Sequence, residues 1–354
     1  IIKIKVGIME TNYFKLRDEE NILKLRELRL VLPAFCSEFF MGIEQQTSPL
    51  TRLGYARDLK IFFDFLVSDT QEFYGKKVSA LTFQDLNNVT STHIEMYLSY
   101  LSVYKVNGKT YGEKAKGRKL SAVRAMLKYF FKKGKIESNV ASVVDTPKVH
   151  ESEIIRLEVD EVVKMLNVSE DGYGLTKMQK GFHSHTKLRD FAMLSLFLGT
   201  GIRISECVGL NVNDVDFENN AFTITRKGGN RVILYFNNEV ATALKDYLNY
   251  RNSIKDLPKG EQALFLSLQN KRMCVRSVEK LVKKYAGLVT PLKHITPHKL
   301  RSTFGTNLYR ETNDIYVVAD VLGHKDVNTT RKHYAAISED IRRSAASKVK
   351  LRED

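Results

Sequence analysis

The sequence predicts a mainly α-helical fold of the α+β class, with two domains and one small antiparallel sheet in the second. Three observations lead to this prediction. A length of 354 residues favours two domains, each large enough to bury its own core. Apolar side chains recur at helical spacing in both halves of the chain. The only clear strand pattern lies between Ala221 and Phe236.

The domain boundaries follow from composition and periodicity. Residues 1–28 have mixed charge and no clear motif, whereas residues 146–152 are polar, contain a proline and show no periodicity, as is typical of a linker. The sequence thus predicts an N-terminal extension (1–28), a helical domain (29–145), a linker (146–152), a second domain (153–336) and a C-terminal tail (337–354).

Four segments of the first half predict helices that form a compact domain. Residues 51–67 follow a Ser48-Pro49 helix start, and residues 119–133 follow a basic turn at 114–118. The other two predicted helices span residues 21–40 and 90–104.

In the second half, periodicity predicts a short helix at 157–166, a polar loop at 167–187 and a buried helix at 188–198. Two β-branched runs, 221–225 and 231–236, flank a Lys-Gly-Gly-Asn turn and predict a hairpin. Further helices are predicted at 238–252, 275–285, 297–311, 314–322 and from residue 329 onward.

Composition argues against a membrane or secreted protein. No apolar run approaches the roughly 18 residues of a membrane span, and residues 1–7 lack the features of a secretory signal. The three cysteines, Cys36, Cys207 and Cys274, are odd in number and far apart. We therefore expect a cytoplasmic protein in which all three are reduced and buried.

The charge predicts a polyanionic partner, which could be nucleic acid, an acidic membrane or an acidic protein. The net charge is +15, and residues 104–135 contain eleven Lys or Arg against one acid, Glu113. Aromatic residues are interleaved with these cations at Tyr111, Tyr129, Phe130 and Phe131. The segment by itself fits either a solvated helix face over core aromatics or a surface that binds DNA.

An ordered set of basic residues and a tyrosine provides what metal-free attack on a phosphodiester needs. Arginines hold the non-bridging oxygens, basic groups move protons, and a tyrosine attacks the phosphorus. No metal site is expected, because His183 and His185 have no further ligand at suitable spacing. The set consists of Arg203, Lys227, His298, Arg301, His324 and Tyr334.

Helix signals surround two of these residues. Thr296 followed by Pro297 is a good helix start, and it places His298 and Arg301 on one face of the first turn. Leu300, Phe304 and Leu308 would form the opposite, core-facing stripe. The competing tyrosines, Tyr309 and Tyr316, lie in apolar stripes and are expected in the core.

The order and local motifs of these residues resemble the tyrosine recombinase (phage integrase) family. The matching segments are TGIRISECVGL at 200–210, RKGGNR at 226–231, HKLR at 298–301 and VLGHKDVNTT at 321–330, with Tyr334 ten residues after the histidine. The resemblance implies two domains that close on DNA as a clamp, with residues 114–135 lining the N-terminal half of the clamp, and a reaction that needs no cofactor.

The resemblance also implies a role for each residue of the set. Tyr334 would form a 3′-phosphotyrosine, and Arg203 and Arg301 would bind the phosphate. Lys227, which immediately precedes the Gly-Gly pair, would protonate the leaving oxygen, with Arg226 and Arg231 as the alternatives. His298 would assist removal of the tyrosine proton, and His324 would hydrogen-bond a phosphate oxygen. Glu206 would support Arg203. Predicted DNA contacts are Lys114, Lys116, Arg118, Lys119, Arg124, Arg272 and Arg276.

The implied partners are double-stranded DNA with a specific core recombination site and, on two such sites, a homotetramer. The tail at 337–354 would dock on a neighbouring protomer, or else on its own domain. A type IB topoisomerase and a catalytically silent DNA-binding protein are the alternative functions. A short N-terminal extension favours a Xer-like resolvase, whereas the total length and the 167–187 loop favour the integrase of a mobile element.

Overall fold

The computed structural model describes residues 13–106, 108–149, 155–226, 230–324 and 326–327. The chain divides into two compact units, residues 1–152 and 153–354. Lys227, Tyr334, the helix predicted from residue 329 and the C-terminal tail lie outside the described residues.

Unit 1 consists of helices and one very short hairpin. Two-residue strands, β1 (Lys105–Val106) and β2 (Lys109–Thr110), pair antiparallel between the last two helices. The helices are α1 (Tyr13–Arg29), α2 (Phe35–Gly42), α3 (Pro49–Asp69), α4 (Phe83–Asn87), α5 (Ser91–Val103) and α6 (Glu113–Lys132).

Two predictions for unit 1 are wrong in detail. The single helix expected at 21–40 is divided into α1 and α2, because Pro33 has no N–H to continue the helical hydrogen bonds. The expected basic turn at 114–118 forms the first turns of α6 instead. The start of α3 is as expected, since the Ser48 hydroxyl accepts a hydrogen bond from Thr51 N at 3.3 Å.

An aromatic cluster forms the core of unit 1. Phe62, Phe63, Phe65, Tyr97 and Phe130 are essentially inaccessible to solvent. Their rings pack edge-on or tilted against neighbouring rings, with Phe62 and Tyr97 centroids 5.1 Å apart. Burial of each large apolar side chain stabilises the fold by about 1.5–3 kcal/mol, so these residues join α2, α3, α5 and α6.

A buried ion pair crosses this core, and it overturns one predicted DNA contact. Lys119 is 2 % exposed, and its Nζ lies 2.8 Å from Oδ1 of Asp58, which is 1 % exposed. The same ammonium lies 4.3 Å from the centre of the Tyr111 ring. Arg118 Nη2 donates to the same carboxylate oxygen, Asp58 Oδ1, at 2.8 Å, and its Nη1 forms an ion pair with Oδ2 at 2.5 Å. Lys119 therefore holds α6 to α3, and the prediction that it contacts DNA is wrong because its charge points into the core.

Replacing Asp58 with Ala is expected to destabilise unit 1 by about 3–5 kcal/mol, because the buried Lys119 ammonium loses its counter-ion. Urea unfolding followed by circular dichroism measures this loss. The matched control is Asp64→Ala on the same helix, which removes an exposed pair with Lys60 and should cost about 0–1 kcal/mol. Equal losses in both variants would contradict a structural role for the buried pair.

Unit 2 is mostly helical with one antiparallel sheet, as the sequence predicts. The sheet has the order β3-β4-β5, formed by Val215–Asp216, Ala221–Thr225 and Arg231–Tyr235. The helices are α7 (Val159–Asp171), α8 (Lys177–Thr200), α9 (Ile204–Gly209), α10 (Asn238–Asn252), α11 (Val275–Val289), α12 (Pro297–Thr312) and α13 (Ile315–Leu322).

The long loop predicted at 167–187 is wrong. Helix α7 ends at Asp171 because Gly172, with φ of +74°, follows in the left-handed conformation, and α8 begins at Lys177. The Thr176 hydroxyl and the Gln179 side chain cap this start reciprocally, which stabilises a helix in a polar segment. Strand β3 was also not predicted, since two residues are too few for an alternating pattern.

The cysteine prediction holds for two residues and fails for the third. Cys36 and Cys207 are buried, and burial raises the pKa of both thiols. Cys274 is exposed at the start of α11, where hydrogen bonds from the Ser277 side chain and backbone lower the pKa of its thiol. The prediction that Tyr316 lies in the core is wrong, because its side chain is 70 % exposed.

Among the described helices, none is long and apolar enough to cross a membrane.

Candidate active site

A left-handed turn between α8 and α9 presents the first arginine. Gly201 adopts φ +61°, and a Cβ there would overlap the Phe304 ring and the Leu322 side chain. Only glycine fits both the backbone conformation and this close approach. The turn therefore packs directly against α12 and α13, and Arg203 follows it at the N-terminus of α9.

The Arg203–Glu206 pair is more than an ordinary surface pair, because Glu206 is only 4 % exposed. Its Oε1 accepts from Arg203 Nη1 at 2.9 Å, and its Oε2 accepts from the Arg203 backbone N at 3.0 Å. The carboxylate therefore fixes both the backbone and the guanidinium of Arg203. The Arg203 side chain remains 37 % exposed, so part of its guanidinium can reach an anion in solvent.

The second arginine, Arg301, is buried on the first turns of α12. Thr296 caps the helix through its hydroxyl, which accepts from Lys299 N at 3.4 Å. The Arg301 guanidinium is 5 % exposed and donates to Gly201 O and Leu322 O. His298, one turn earlier, is exposed. The expected separation of a polar and an apolar face is thus incomplete, since Arg301 lies on the buried side together with Leu300.

Helix α13 ends in a Schellman motif next to the two arginines. Gly323 adopts φ +61°, its N–H donates to Asp320 O at 2.8 Å, and the N–H of His324 donates to Ala319 O at 2.9 Å. This geometry leaves the last carbonyls of α13 available as acceptors, and it fixes the backbone position of His324.

Three arginines bind three successive carbonyl oxygens at this helix end. The carbonyl end of a helix carries partial negative charge, which favours cations there. The two guanidiniums at the outer carbonyls each donate through Nη2 at 3.0 Å. The pairs are Arg226 with Val321, Arg301 with Leu322, and Arg203 with Gly323.

The structure therefore brings Arg203, Glu206, Arg301 and the backbone of His324 together, although they are distant in sequence. Two guanidiniums held by protein acceptors form a preorganised site for an anion such as a phosphodiester. Arg226 joins this cluster as well, although the sequence predicts it only as an alternative to Lys227. Its position in the RKGGNR motif was the available signal.

The predicted DNA contacts separate into exposed and structural residues. Lys114 and Arg118 on α6 and Arg276 on α11 are exposed, and Lys116 pairs with Glu113 at 2.7 Å. The guanidiniums of two other candidates bind backbone carbonyls within their own units, which indicates structural roles. These are Arg124, bonded to Ala141 O and Val144 O, and Arg272, bonded to Val208 O and Leu210 O.

The exposed cations of α6 continue past the individually predicted contacts, within the 114–135 segment that the resemblance places in the DNA clamp. Lys128 and Lys132 are exposed at spacings that continue the stripe of Lys114 and Arg118 along the same helix. We call these four residues the α6 basic stripe.

Potential metal ligands are dispersed among the residues that the structure describes. Within them, no group of three or more His, Cys, Asp or Glu could hold a metal ion. His183 is buried with Nε2 2.9 Å from Ser169 O, whereas His185 is exposed, so the two do not face one site.

Comparison with known proteins agrees with this geometry. The phage integrase family matches residues 155–340. Two solved structures share the fold at low sequence identity. The XerH recombinase bound to palindromic difH DNA has a TM-score of 0.62 at 20% identity, covering 82% of this chain and 77% of that one. The Tn1549 transposon integrase with circular intermediate DNA has a TM-score of 0.61 at 19% identity, covering 87% and 98%.

Two curated relatives are similar over most of their length. The tyrosine recombinase XerC of Caldanaerobacter subterraneus subsp. tengcongensis is 31% identical over 342 residues, which cover 92% of this chain and 89% of the relative. The XerC of Syntrophus aciditrophicus is 30% identical over 305 residues, covering 84% and 91%. The chain therefore belongs to the phage integrase family of tyrosine recombinases.

Proposed function

We propose that this tyrosine recombinase cleaves and rejoins double-stranded DNA at a specific site, with Tyr334 as the nucleophile. The observation that carries the proposal is the convergence of Arg203 and Arg301 on the end of α13, with buried Glu206 behind Arg203. Such fixed cations favour a transition state that carries more negative charge than the substrate phosphodiester.

The reaction follows from the assigned roles. The Tyr334 hydroxyl oxygen attacks phosphorus, the bond to the 5′ oxygen breaks, and a 3′-phosphotyrosine and a free 5′ hydroxyl result. His298 assists removal of the tyrosine proton, His324 hydrogen-bonds a phosphate oxygen, and Lys227 protonates the leaving oxygen. Because the phosphotyrosine conserves the energy of the broken phosphodiester bond, a 5′ hydroxyl from another strand can attack it and rejoin the DNA without ATP.

The α6 basic stripe supports DNA binding by unit 1. Its four exposed cations lie along a 20-residue helix in a protein of net charge +15. Cations in such a row neutralise successive phosphates and release counterions. We further propose a Xer-like role, supported by the similarity to XerC proteins. The predicted loop that favoured a mobile element is helical instead.

Recombination products distinguish the proposed function from its alternatives. Purified protein is incubated with supercoiled plasmids that carry two copies of a candidate site. A recombinase gives covalent adducts and strand-exchanged products, whereas a topoisomerase gives adducts and relaxed circles only. A silent DNA-binding protein gives neither, and either of the last two results would overturn the proposal.

Cleavage is expected to continue in saturating EDTA, because the proposed chemistry uses no metal, whereas DNA affinity should fall steeply with salt. Four contacts from the α6 basic stripe would give a slope of log K against log salt of about −3.6. Adduct gels and fluorescence anisotropy measure the two quantities. Loss of cleavage in EDTA with binding intact would contradict the metal-free mechanism.

We propose that the protein acts in the cytoplasm as a homotetramer on two DNA sites, with the tail at 337–354 docked on a neighbouring protomer. The tail carries apolar residues at helical spacing, Ile337, Ile341 and Ala345, and so short a stripe needs a surface to dock on. Deleting residues 339–354 should leave single-site binding intact and abolish synapsis. Light scattering of the protein–DNA complex measures this, and tetramers of the truncated protein would indicate docking in cis.

A further inference from the structure

Arg226 lies at the turn end of the β4–β5 hairpin. Its backbone N donates to Asn230 O at 2.8 Å, directly beyond the last strand pair, Thr225 with Arg231. The next residue in the chain is Lys227, and consecutive Cα atoms are about 3.8 Å apart. A contact that fixes Arg226 therefore acts at the residue that immediately precedes Lys227 in the sequence.

The Arg226 side chain connects this hairpin to the end of α13. Its Nη2 donates to Val321 O at 3.0 Å, across 95 residues of sequence. The guanidinium lies against Gly323, where a Cβ would overlap it. Burial lowers the pKa of the Arg226 guanidinium, an effect that nearby Arg203 reinforces and Glu206 opposes. One half-buried side chain thus ties the hairpin to the helix end that carries His324.

The contacts of Arg226 are poorly explained by stability alone. Its Nε is buried and has no hydrogen-bond partner among the residues that the structure describes. Leaving such a donor unpaired costs about 1–3 kcal/mol. A guanidinium also does not release its proton under ordinary conditions, so Arg226 is unsuited to be the acid for the leaving oxygen. Its placement fits a residue that orients a neighbouring group.

We infer that Arg226 is a positioning residue for DNA cleavage, which holds the hairpin bearing Lys227 against the C-terminal end of α13. The inference rests on the proposed function, in which Lys227 protonates the leaving 5′ oxygen. Gly323 is the complementary part of this contact, because any larger residue would displace the guanidinium. The role differs from that of Arg203 and Arg301, since Arg226 acts through Lys227.

A double-mutant cycle on two DNA substrates tests this role. Single-turnover cleavage is measured for wild type, Arg226→Ala, Lys227→Ala and the double variant. The substrates are ordinary DNA and DNA with a 5′-bridging sulfur, a leaving group that needs no acid. Lys227→Ala should slow ordinary cleavage by about 10²–10⁴-fold. Arg226→Ala should slow it by about 10²-fold through misplacement of the acid.

If Arg226 acts through Lys227, two further results follow. Adding Arg226→Ala to Lys227→Ala should cause no further loss on ordinary DNA, and sulfur DNA should restore Arg226→Ala to near wild-type rates. The matched control is Arg310→Ala, which removes an equal charge from an exposed position on α12 and should change cleavage less than about threefold. Arg226→Lys keeps the charge but loses the planar fork of the guanidinium. It should slow cleavage of ordinary DNA less than Arg226→Ala does, and sulfur DNA should restore its rate as well. Arg226→Lys replaces Arg226→Ala if the alanine variant does not fold.

The outcomes separate this inference from the proposed function. Additive losses in the double variant, or a loss in Arg226→Ala that sulfur does not restore, would overturn the positioning role while leaving the acid assignment intact. Normal cleavage of ordinary DNA by Lys227→Ala would instead overturn the acid assignment itself. DNA affinity measured by anisotropy should stay within about threefold of wild type in all variants, because Arg226 binds a carbonyl of α13 and is not proposed to bind a phosphate.

Discussion

Tyr334→Phe is expected to bind recombination-site DNA with unchanged affinity and to form no covalent adduct. The substitution removes only the phenolic oxygen, which is the nucleophile, and leaves the ring to pack as before. The measurement is a denaturing gel of protein incubated with a nicked substrate that traps the phosphotyrosine. Binding is measured on the same DNA by mobility shift.

The matched control is Tyr316→Phe, since Tyr316 is 70 % exposed on α13 and, among the described tyrosines, is the nearest in sequence to Tyr334. It should form adducts at the wild-type rate. Adducts that persist in Tyr334→Phe but disappear in Tyr316→Phe would identify Tyr316 as the nucleophile. Adducts that persist in both would exclude each of these tyrosines.

Arg301→Lys is expected to slow cleavage by about 10²–10³-fold, the effect of losing one preorganised donor to a developing oxyanion. Lysine keeps the positive charge but replaces a planar fork with a single ammonium. An ammonium has three N–H donors instead of five, so it cannot bond both Gly201 O and Leu322 O and still present two donors to a phosphate. Single-turnover adduct formation at saturating protein measures the chemical step separately from binding.

Arg310→Lys is the matched control, because Arg310 is exposed on the same helix and pairs with Glu158 at 3.7 Å. It should cleave at the wild-type rate. Since Arg301 is buried, Arg301→Lys should also lower stability by about 1–3 kcal/mol through carbonyls left without a donor. Cleavage is therefore compared at a temperature where both proteins are folded. A rate within threefold of wild type would show that the fork is not needed.

Local signals explain why much of the fold was predictable. Ser48-Pro49 and Thr296-Pro297 begin helices α3 and α12, because a hydroxyl caps the first N–H groups and proline needs no donor there. The β4–β5 hairpin followed from β-branched runs around a glycine turn. Each of these signals acts within a few residues of sequence.

The predictions that failed were based on local polarity, in segments whose structure depends on caps, packing and distant partners. The 167–187 segment looked like a loop because its residues are polar, yet caps at Thr176 and packing of α8 make it helical. Lys119 looked like a DNA contact because it lies in a basic segment, yet Asp58, 61 residues away, holds its ammonium in the core. Polarity alone does not reveal a distant partner.

The sequence by itself therefore determined the helical class, the hairpin, the family and the order of the six candidate catalytic residues, since periodicity, caps and motifs are local properties. Only the tertiary structure decided which cations lie together. Arg203 meets Gly323 across 120 residues, and Arg226 meets Val321 across 95. Such contacts depend on how α12 and α13 pack against the Gly201 turn. That packing is a property of the whole core, and no short segment specifies it.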